Sequence, residues 1–320
     1  NLKKVITMEK IKIGVSSCLL GEKVRFDAQH KYHWYINEVL SKYFDYVRMC
    51  PELEVGMGVP RKSVRLEGDL NSPRMIEPKS GEDWTSKMET YSQEKVSMLE
   101  DLSGFLFKKG SPSCGPFRVR VYQKTGIPLV KGMGIFARAF TEKYPLIPFE
   151  DEGRLNDAGL RESFIERVFA YQRIKTLMKK RFSRGNWVKF HERSKFLILA
   201  HSRPHYTKLG QLVAGIKSYS PHDFKEAYAS LYMEALAVKS TQKKNCDVLL
   251  HILGFLKKIL GSKEKQDLLA TIESYRNKIV PLAVPLTLLK HYIKVHEIPY
   301  VEDQFYLDPH PHDLSLRTSL

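Results

Sequence analysis

The sequence predicts an α/β N-terminal domain with a parallel, Rossmann-like sheet, followed by an all-α C-terminal domain. Three observations predict this. Short apolar runs alternate with helical periods through the first half, the βαβ signature of a parallel sheet with helices on both faces. From about Asn156 the apolar period becomes helical and stays so. The length, 320 residues, also exceeds what one hydrophobic core usually holds. The boundaries predicted are a domain over 8–157, a connecting helix over 158–182 and a helical domain over 183–320.

The first half reads as follows. Ile11 to Val15 is an apolar run that leads into Ser16-Ser17-Cys18. Asp27 is a plausible N-cap for a helix that aligns Ile36, Val39, Leu40 and Tyr43 on one face. A second strand, Tyr46-Val47-Arg48-Met49, runs into Cys50-Pro51-Glu52. Residues 60–80 read as an irregular or hairpin insertion. A helix is predicted from about Thr85 to Leu102, with Met88, Tyr91, Met98 and Leu102 inward. The third strand, Gly104 to Phe107, enters Gly110-Ser111-Pro112-Ser113-Cys114-Gly115. Val119 to Tyr122 with the Gly126-Ile127 turn predicts a short hairpin, and Gly134 to Tyr144 one more helix.

In the second half, four apolar sets keep helical spacing. One, on the connector, starts at Phe164, and three after it start at Tyr206, Phe224 and Val248. Pro204, Pro221, Gly261, Pro281 and Pro285 punctuate the helices. The tail from Tyr300 to Pro311 has prolines and aromatics without a period, and is expected to pack over the bundle as extended chain.

Composition narrows the class. At 42% hydrophobic and 28% charged residues, with no apolar run long enough to span a bilayer, the chain reads as an ordinary globular protein without a membrane partner. Asn1 to Lys10 lacks the apolar stretch of a signal peptide, and Met8 is a candidate start. Four cysteines in so long a chain do not make a secreted disulfide framework, so a reducing cytoplasm is expected. Net charge is +16 and uneven: 25 Lys and Arg against 21 Asp and Glu up to residue 157, then 27 against 15. A positive second half predicts a polyanionic partner such as nucleic acid, or else only a soluble basic surface.

The cysteines carry the chemistry. In a parallel sheet the C-terminal strand ends lie side by side, and ligands bind just outside them. Cys18, Cys50 and Cys114 each follow such an end, in polar loops where sites are built. Three thiols there predict a metal or iron–sulfur site with one open coordination position, since clusters normally take four thiolates. The absence of a Cys-x-x-Cys pair argues against a zinc ribbon or a thioredoxin-type site. Cys246, inside a helical apolar period, reads as core. Glu52, two residues beyond Cys50, is a candidate general acid or base; Glu54 is its rival, because on extended chain both share a face. Ser111 is a candidate for substrate binding or proton relay, or an ordinary turn serine. His30/His33 and His201/His205 have metal-like spacing but lack further ligands, and read as structural. No phosphate-binding glycine motif is present. The stretch from Lys175 to Lys195 sets Lys179, Lys180, Arg181 and Arg184 among Phe182, Trp187 and Phe190. That pattern suits a phosphate backbone with exposed bases, or a charged helix pair with its aromatics in the core.

The same residues resemble a known family. Ser-Ser-Cys-Leu-Leu-Gly at 16–21, Val-Arg-Phe-Asp at 24–27, Cys-Pro-Glu at 50–52, Gly-Val-Pro-Arg at 58–61 and Ser-Pro-Ser-Cys-Gly at 111–115 are similar to motifs of the TudS-like thiouracil desulfidases. Gly-Ile-Phe-Ala-Arg-Ala at 134–139 and Glu-Gly-Arg-Leu-Asn-Asp at 152–157 continue the likeness. Phe-His-Glu-Arg-Ser-Lys at 190–195 and Ala-His-Ser-Arg-Pro-His-Tyr at 200–206 resemble the helical YbgA-like domain. The resemblance implies a [4Fe-4S] cluster held by Cys18, Cys50 and Cys114, a catalytic acid/base at Glu52 and an active-site serine at Ser111. It implies replacement of the sulfur of a thiolated uracil by oxygen, with 4-thiouridine in tRNA as the expected substrate. The helical domain would then dock RNA through Lys179, Lys180, Arg181 and Arg184. Two alternatives stand beside it: a small-molecule thiouracil desulfurase, and a non-enzymatic, cluster-bearing nucleic-acid-binding or sensor protein.

Overall fold

The computed structural model describes residues 10–123, 125–314 and 316–318. The candidate start at Met8, with the stretch before it, lies outside the described residues. The chain divides into two compact units, one up to Leu160 and one from Arg161 onward.

In the first unit the apolar run becomes β1 (Ile11–Ser16), which passes into a short 3-10 turn over Ser17–Leu20. The single helix expected after Asp27 does not form. Asp27 instead accepts a turn bond from the Gln29 amide, and the chain makes only a π-helical turn over Tyr35–Val39 and a 3-10 turn over Leu40–Lys42. The cause lies in polar side chains that compete for backbone groups. Asn37 Nδ2 donates to the carbonyls of Leu19 and His33. Ser41 Oγ donates to the Asn37 carbonyl. Strand β2 (Phe44–Met49) follows, and then the four-residue helix α1 (Pro51–Glu54).

The insertion is the hairpin β3 (Arg65–Gly68) and β4 (Pro73–Ile76). Helix α2 (Thr85–Ser97) stops earlier than its period predicts. Leu102 is buried as expected, but Met98, also expected inward, is 74% exposed, because the helical phase ends at Ser97; Leu99 buries instead. Then come β5 (Phe105–Phe107), the predicted hairpin β6 (Val119–Tyr122) with β7 (Pro128–Gly132), helix α3 (Ile135–Lys143) and a short edge strand β8 (Phe149–Asp151). Three residues behind a proline carry no period, so β8 has no signal in the sequence.

Strands β2, β1, β5 and β8 form one parallel sheet in that order. Ser16 pairs with Met49 at its edge, so the chain leaves β1 and β2 side by side. Phe105 and Phe107 of β5 stack at 3.9 Å and meet Phe136 and Phe140 of α3 with ring centroids 5.0–6.4 Å apart. The two hairpins are not separate. Parallel pairing of β3 with β6, Leu66 opposite Val121, joins them into a second sheet of order β4-β3-β6-β7. Its inner face, Leu66, Met75, Val119 and Val121, buries against Met88 and Ile135.

The second unit is helical, as its period predicts. It comprises α4 (Ala158–Lys179), α5 (Arg184–His201), α6 (Arg203–Ala214), α7 (Pro221–Ala237), α8 (Gln242–Leu256), α9 (Ser262–Arg276), α10 (Ala283–Val295) and the short α11 (Pro299–Glu302). Pro204 and Pro221 sit in the first turns of α6 and α7, where the missing N–H costs nothing. Trp187, Phe190, Phe224, Tyr228 and Tyr232 stack edge-on into an aromatic core. The tail is not extended chain. It forms α11 and then turns, and it inserts Tyr306, whose hydroxyl donates to Asn245 Oδ1 at 3.0 Å. No helix among the described residues is long and apolar enough to cross a membrane.

Candidate functional site

Three loops at one edge of the parallel sheet build a single cavity. The 3-10 turn after β1 ends at Gly21, whose φ of +92° is in the left-handed region that glycine tolerates, and it buries Cys18. Ser16 Oγ accepts from the Lys108 amide at 3.0 Å, which ties the end of β1 to the loop after β5. Beyond β2, Cys50 is followed by Pro51 at the start of α1, a position that suits proline's fixed φ.

The third loop, Lys108 to Gly115, is the most constrained. Ser111 Oγ accepts from the amides of Cys114 and Ser113 at 3.1 and 3.3 Å. The amides of Gly134, Ile135 and Ala137 donate to the carbonyls of Gly115, Pro112 and Ser113, so the start of α3 grips the loop. The approach is close enough that a Cβ on Gly134 would lie 2.4 Å from the Ser113 carbonyl oxygen. Only glycine fits there.

The cavity holds about 330 Å³, within the range of small-molecule sites. Cys18, Cys50, Cys114, Glu52 and Ser111 all line it, so the five site residues expected of the first domain meet in one place. Glu52 is anchored at both oxygens. Oε2 accepts from Arg61 Nη2 at 2.5 Å. Oε1 accepts from Ser113 Oγ at 2.8 Å, and the Ser111 hydroxyl lies 3.2 Å from the same oxygen. The two hydroxyls are 3.0 Å apart. Arg61 is fixed in turn by the carbonyls of Val24 and Gly58, at 2.9 and 3.1 Å.

Glu54 is no rival. Residues 51–54 are helical rather than extended, so positions two apart point in different directions. Glu54 accepts from the Cys50 amide at 3.0 Å, from Tyr91 Oη at 2.9 Å and from Lys95 Nζ at 2.8 Å, and it is not part of the cavity wall. It pins α1 to α2.

Burial raises the pKa of all three thiols, Cys18 to about 12, with Lys108 opposing the rise there. Cys50 and Glu52 push Cys114 further up. No three His, Cys, Asp or Glu side chains among the described residues converge on a single metal ion. The three thiols are spread around a shared cavity instead, and such a soft donor set fits a multi-iron sulfur cluster, in which each cysteine binds a different iron. Arg25, Lys31, Arg61 and Lys108 in the wall, against one carboxylate, favour an anionic occupant.

Sequence reasoning missed three residues here. Ser113 lies closer to Glu52 than Ser111 does, Arg61 holds the other carboxylate oxygen, and Lys108 of the wall pairs with Glu152. Ser113 and Arg61 were visible within Ser-Pro-Ser-Cys and Gly-Val-Pro-Arg, but nothing local distinguishes a carboxylate partner from a turn residue.

The remaining candidates stand apart from this cavity. Cys246 is buried in α8, as expected. His201 Nε2 pairs with Glu166 at 2.6 Å inside the second unit, and His205 Nδ1 lies 2.7 Å from Ser202 Oγ. His30 Nδ1 accepts from the Tyr32 amide. These histidines are structural. Lys179, Lys180, Arg181 and Arg184 are exposed where α4 gives way to α5. Of their three aromatic neighbours, Phe182 is half-buried against Phe224, and the other two do not reach the surface. Trp187 and Phe190 are 1% and 8% exposed and belong to the core, which removes the expected stacking platform.

Comparison with known proteins accords with this architecture. A sequence model of the family described as 2-thiouracil desulfurase matches residues 13–152. A second, described as a protein of unknown function (DUF1722), matches residues 195–311. The uncharacterised protein YbgA of Escherichia coli (strain K12) is 32% identical over 159 residues, which is 49% of this chain and 94% of that protein. Among solved structures, the [4Fe-4S]-dependent thiouracil desulfidase TudS is 27% identical, with 48% of this chain and 99% of that chain covered at a TM-score of 0.38. The chain belongs to the YbgA family, and its YbgA-like part follows a stretch, residues 13–152, that matches the 2-thiouracil desulfurase model.

Proposed function

We propose that this protein is an iron–sulfur-dependent desulfidase that replaces the sulfur of a thiolated uracil with oxygen, and that its substrate is 4-thiouridine in tRNA. The observation that carries the reading is the convergence of the buried Cys18 and Cys114 and the half-buried Cys50 with the Glu52–Ser111–Ser113 cluster in one cavity. A site that only stored or sensed with a cluster would need no carboxylate anchored beside it.

The reaction exchanges no electrons. The C–S bond of the thiocarbonyl breaks, a C–O bond forms from water, and sulfur leaves at the sulfide level. Cys18, Cys50 and Cys114 would hold a [4Fe-4S] cluster. When bound by three thiolates, such a cluster supplies an iron with a free coordination position as a Lewis acid toward sulfur.

The chain's own residues do the rest. Glu52 Oε1 takes a proton from the attacking water and returns one as the tetrahedral centre collapses, a task for which a positioned carboxylate suits. Arg61 on Oε2 fixes the direction of that carboxylate. Ser111 and Ser113 aim Oε1 and give the proton a short path along the wall. The loop backbone, gripped by α3, keeps both hydroxyls in place.

The net charge of +16 and the exposed Lys179, Lys180, Arg181 and Arg184 support a tRNA substrate over a free base. The test is turnover by anaerobically reconstituted protein of thiolated tRNA beside free 4-thiouridine, followed by near-ultraviolet absorbance. Faster consumption per enzyme on tRNA is the expected result. Activity on the free nucleoside with none on tRNA would overturn the tRNA reading and leave a small-molecule desulfurase.

A further inference from the structure

Beside the first cavity lies a second, of about 610 Å³, and the two share the wall formed by Val64, Lys108, Lys109, Gly110 and Pro112. It opens on the outer face of the second sheet. Alternation along β6 sends Val119 and Val121 into the core and Arg120 and Tyr122 outward, and Arg65 on β3 joins them. Arg118, just before β6, holds a φ of +53°, a region costly for any side chain but glycine's, and lines the same cavity.

The charge of this wall is one-sided. Arg65, Lys108, Lys109, Arg118 and Arg120 contribute to it, and no Asp or Glu does. Arg65 is paired with Glu67, and Lys108 with Glu152. Lys109, Arg118 and Arg120 have no ion-pair partner among the described residues. Three uncompensated cations in one concave wall repel each other unless an anion enters. The aromatic side chains are already engaged. Arg65 covers the Tyr122 ring at 4.4 Å, and Phe117 lies between Phe149, at 5.5 Å, and Arg154, at 4.7 Å. The cavity therefore offers charge, not a stacking platform, to whatever adjoins the reacting base.

We infer that this second cavity binds the phosphate carried by the thiolated nucleoside while the base occupies the first. The inference rests on the reading of the first cavity as the desulfidase site. It makes the catalytic domain itself a nucleotide reader, through Arg118 and Arg120 with Lys109, in addition to any docking by the helical domain. The phosphate belongs either to a mononucleotide or to the diester of an RNA strand, and the experiment separates the two.

The experiment compares full-length wild type with the Arg118→Gln/Arg120→Gln double variant, both reconstituted. Both side chains are exposed, and an unchanged melting temperature checks the fold. Three substrates are offered: 4-thiouridine, its 5′-monophosphate, and a short single-stranded RNA with one internal 4-thiouridine. The variant is expected to keep nucleoside turnover within about two-fold and to lose ten-fold or more in kcat/KM on the phosphorylated substrates. The salt slope for RNA flattens by roughly 0.7 for each phosphate that the variant no longer neutralises. Equal loss on the monophosphate and the RNA assigns a single-phosphate site. Loss confined to the RNA assigns a strand. Wild-type kinetics from the variant on both phosphorylated substrates would overturn the inference. If wild type turns over none of the three and no thiolated tRNA, the desulfidase reading falls, and anisotropy with the same RNA lacking sulfur decides the groove separately: weaker binding by the variant supports it, and equal binding refutes it.

Discussion

Glu52 Oε2 lies 2.5 Å from Arg61 Nη2, and only 6% of the Arg61 side chain and 13% of the Glu52 side chain are exposed. A pair this sheltered from water is directional, and it leaves Oε1 to face the two serine hydroxyls. Arg61 is thus a positioning residue for Glu52. Its replacement by Lys keeps the charge but loses the fork that also binds the carbonyls of Val24 and Gly58. Arg61→Lys should lower kcat with little effect on KM for the nucleoside and should leave iron content intact. A wild-type kcat would show that the orientation of Glu52 does not matter.

Glu52→Gln is expected to retain bound iron and to lose about 10²–10⁴ in turnover, the usual contribution of a placed acid or base. Glu54→Gln tests a different function. Glu54 ties the Cys50 amide to Tyr91 and Lys95, so its loss should lower the melting temperature more than the rate. Reversal of these two outcomes would mean that the wrong carboxylate is assigned.

Each of Cys18→Ala, Cys50→Ala and Cys114→Ala should yield protein depleted in iron and sulfide after anaerobic isolation, whereas Cys246→Ala should bind as wild type does. Chelation of the iron should abolish activity, and reconstitution should restore it. Metal analysis with visible absorbance provides the check. Stoichiometric zinc without sulfide in the wild type would contradict the cluster assignment.

The architecture was legible where periodicity is long and strong. The three strand–cysteine stretches and the helical second half follow from it, as does the meeting of Cys18, Cys50 and Cys114. Other features were invisible for physical reasons. Side-chain competition by Asn37 and Ser41 breaks a helix that apolar spacing alone would draw. The β3–β6 pairing joins hairpins far apart in the chain, and no local pattern encodes it. Glu52 and Glu54 could not be told apart until residues 51–54 proved helical. Trp187 and Phe190 looked available to stack bases because cations surround them in sequence, but the helix turns them inward.

The second unit makes a prediction about acid stability. Glu166 is 3% exposed and accepts from His201 Nε2 at 2.6 Å and from Arg317 Nη2 at 2.9 Å. Burial raises its pKa, but His201 and then Arg317 outweigh that and hold it down at about 2. A depressed carboxylate stabilises the fold at pH above its unfolded value and loses that contribution as pH falls toward the folded value. The melting temperature should therefore decline between about pH 4.5 and 2. Glu166→Gln should cost about 3–5 kcal/mol at neutral pH, because it breaks the buried ion pair with Arg317, and should flatten the acid limb. An unchanged denaturation midpoint at pH 7 would refute this.

Replacing Lys179, Lys180, Arg181 and Arg184 with Ala tests docking by the helical domain. Affinity for tRNA should fall without regard to sequence, and the slope of log K against log salt should flatten by roughly 0.7–0.9 for each phosphate left without its cation. Turnover of free 4-thiouridine should be preserved. Unaltered affinity and slope would place the docking surface elsewhere.

The central claim is that water oxygen replaces the sulfur of a thiolated uracil in the cavity of Cys18, Cys50, Cys114 and Glu52. Its most direct test is anaerobic turnover of 4-thiouridine in ¹⁸O-labelled water, with mass spectrometry of the nucleoside and assay of sulfide. The account predicts uridine that carries one ¹⁸O at the former thiocarbonyl and one sulfide per uridine formed. Intact 4-thiouridine recovered from fully iron-loaded protein would contradict it, as would uridine without the label.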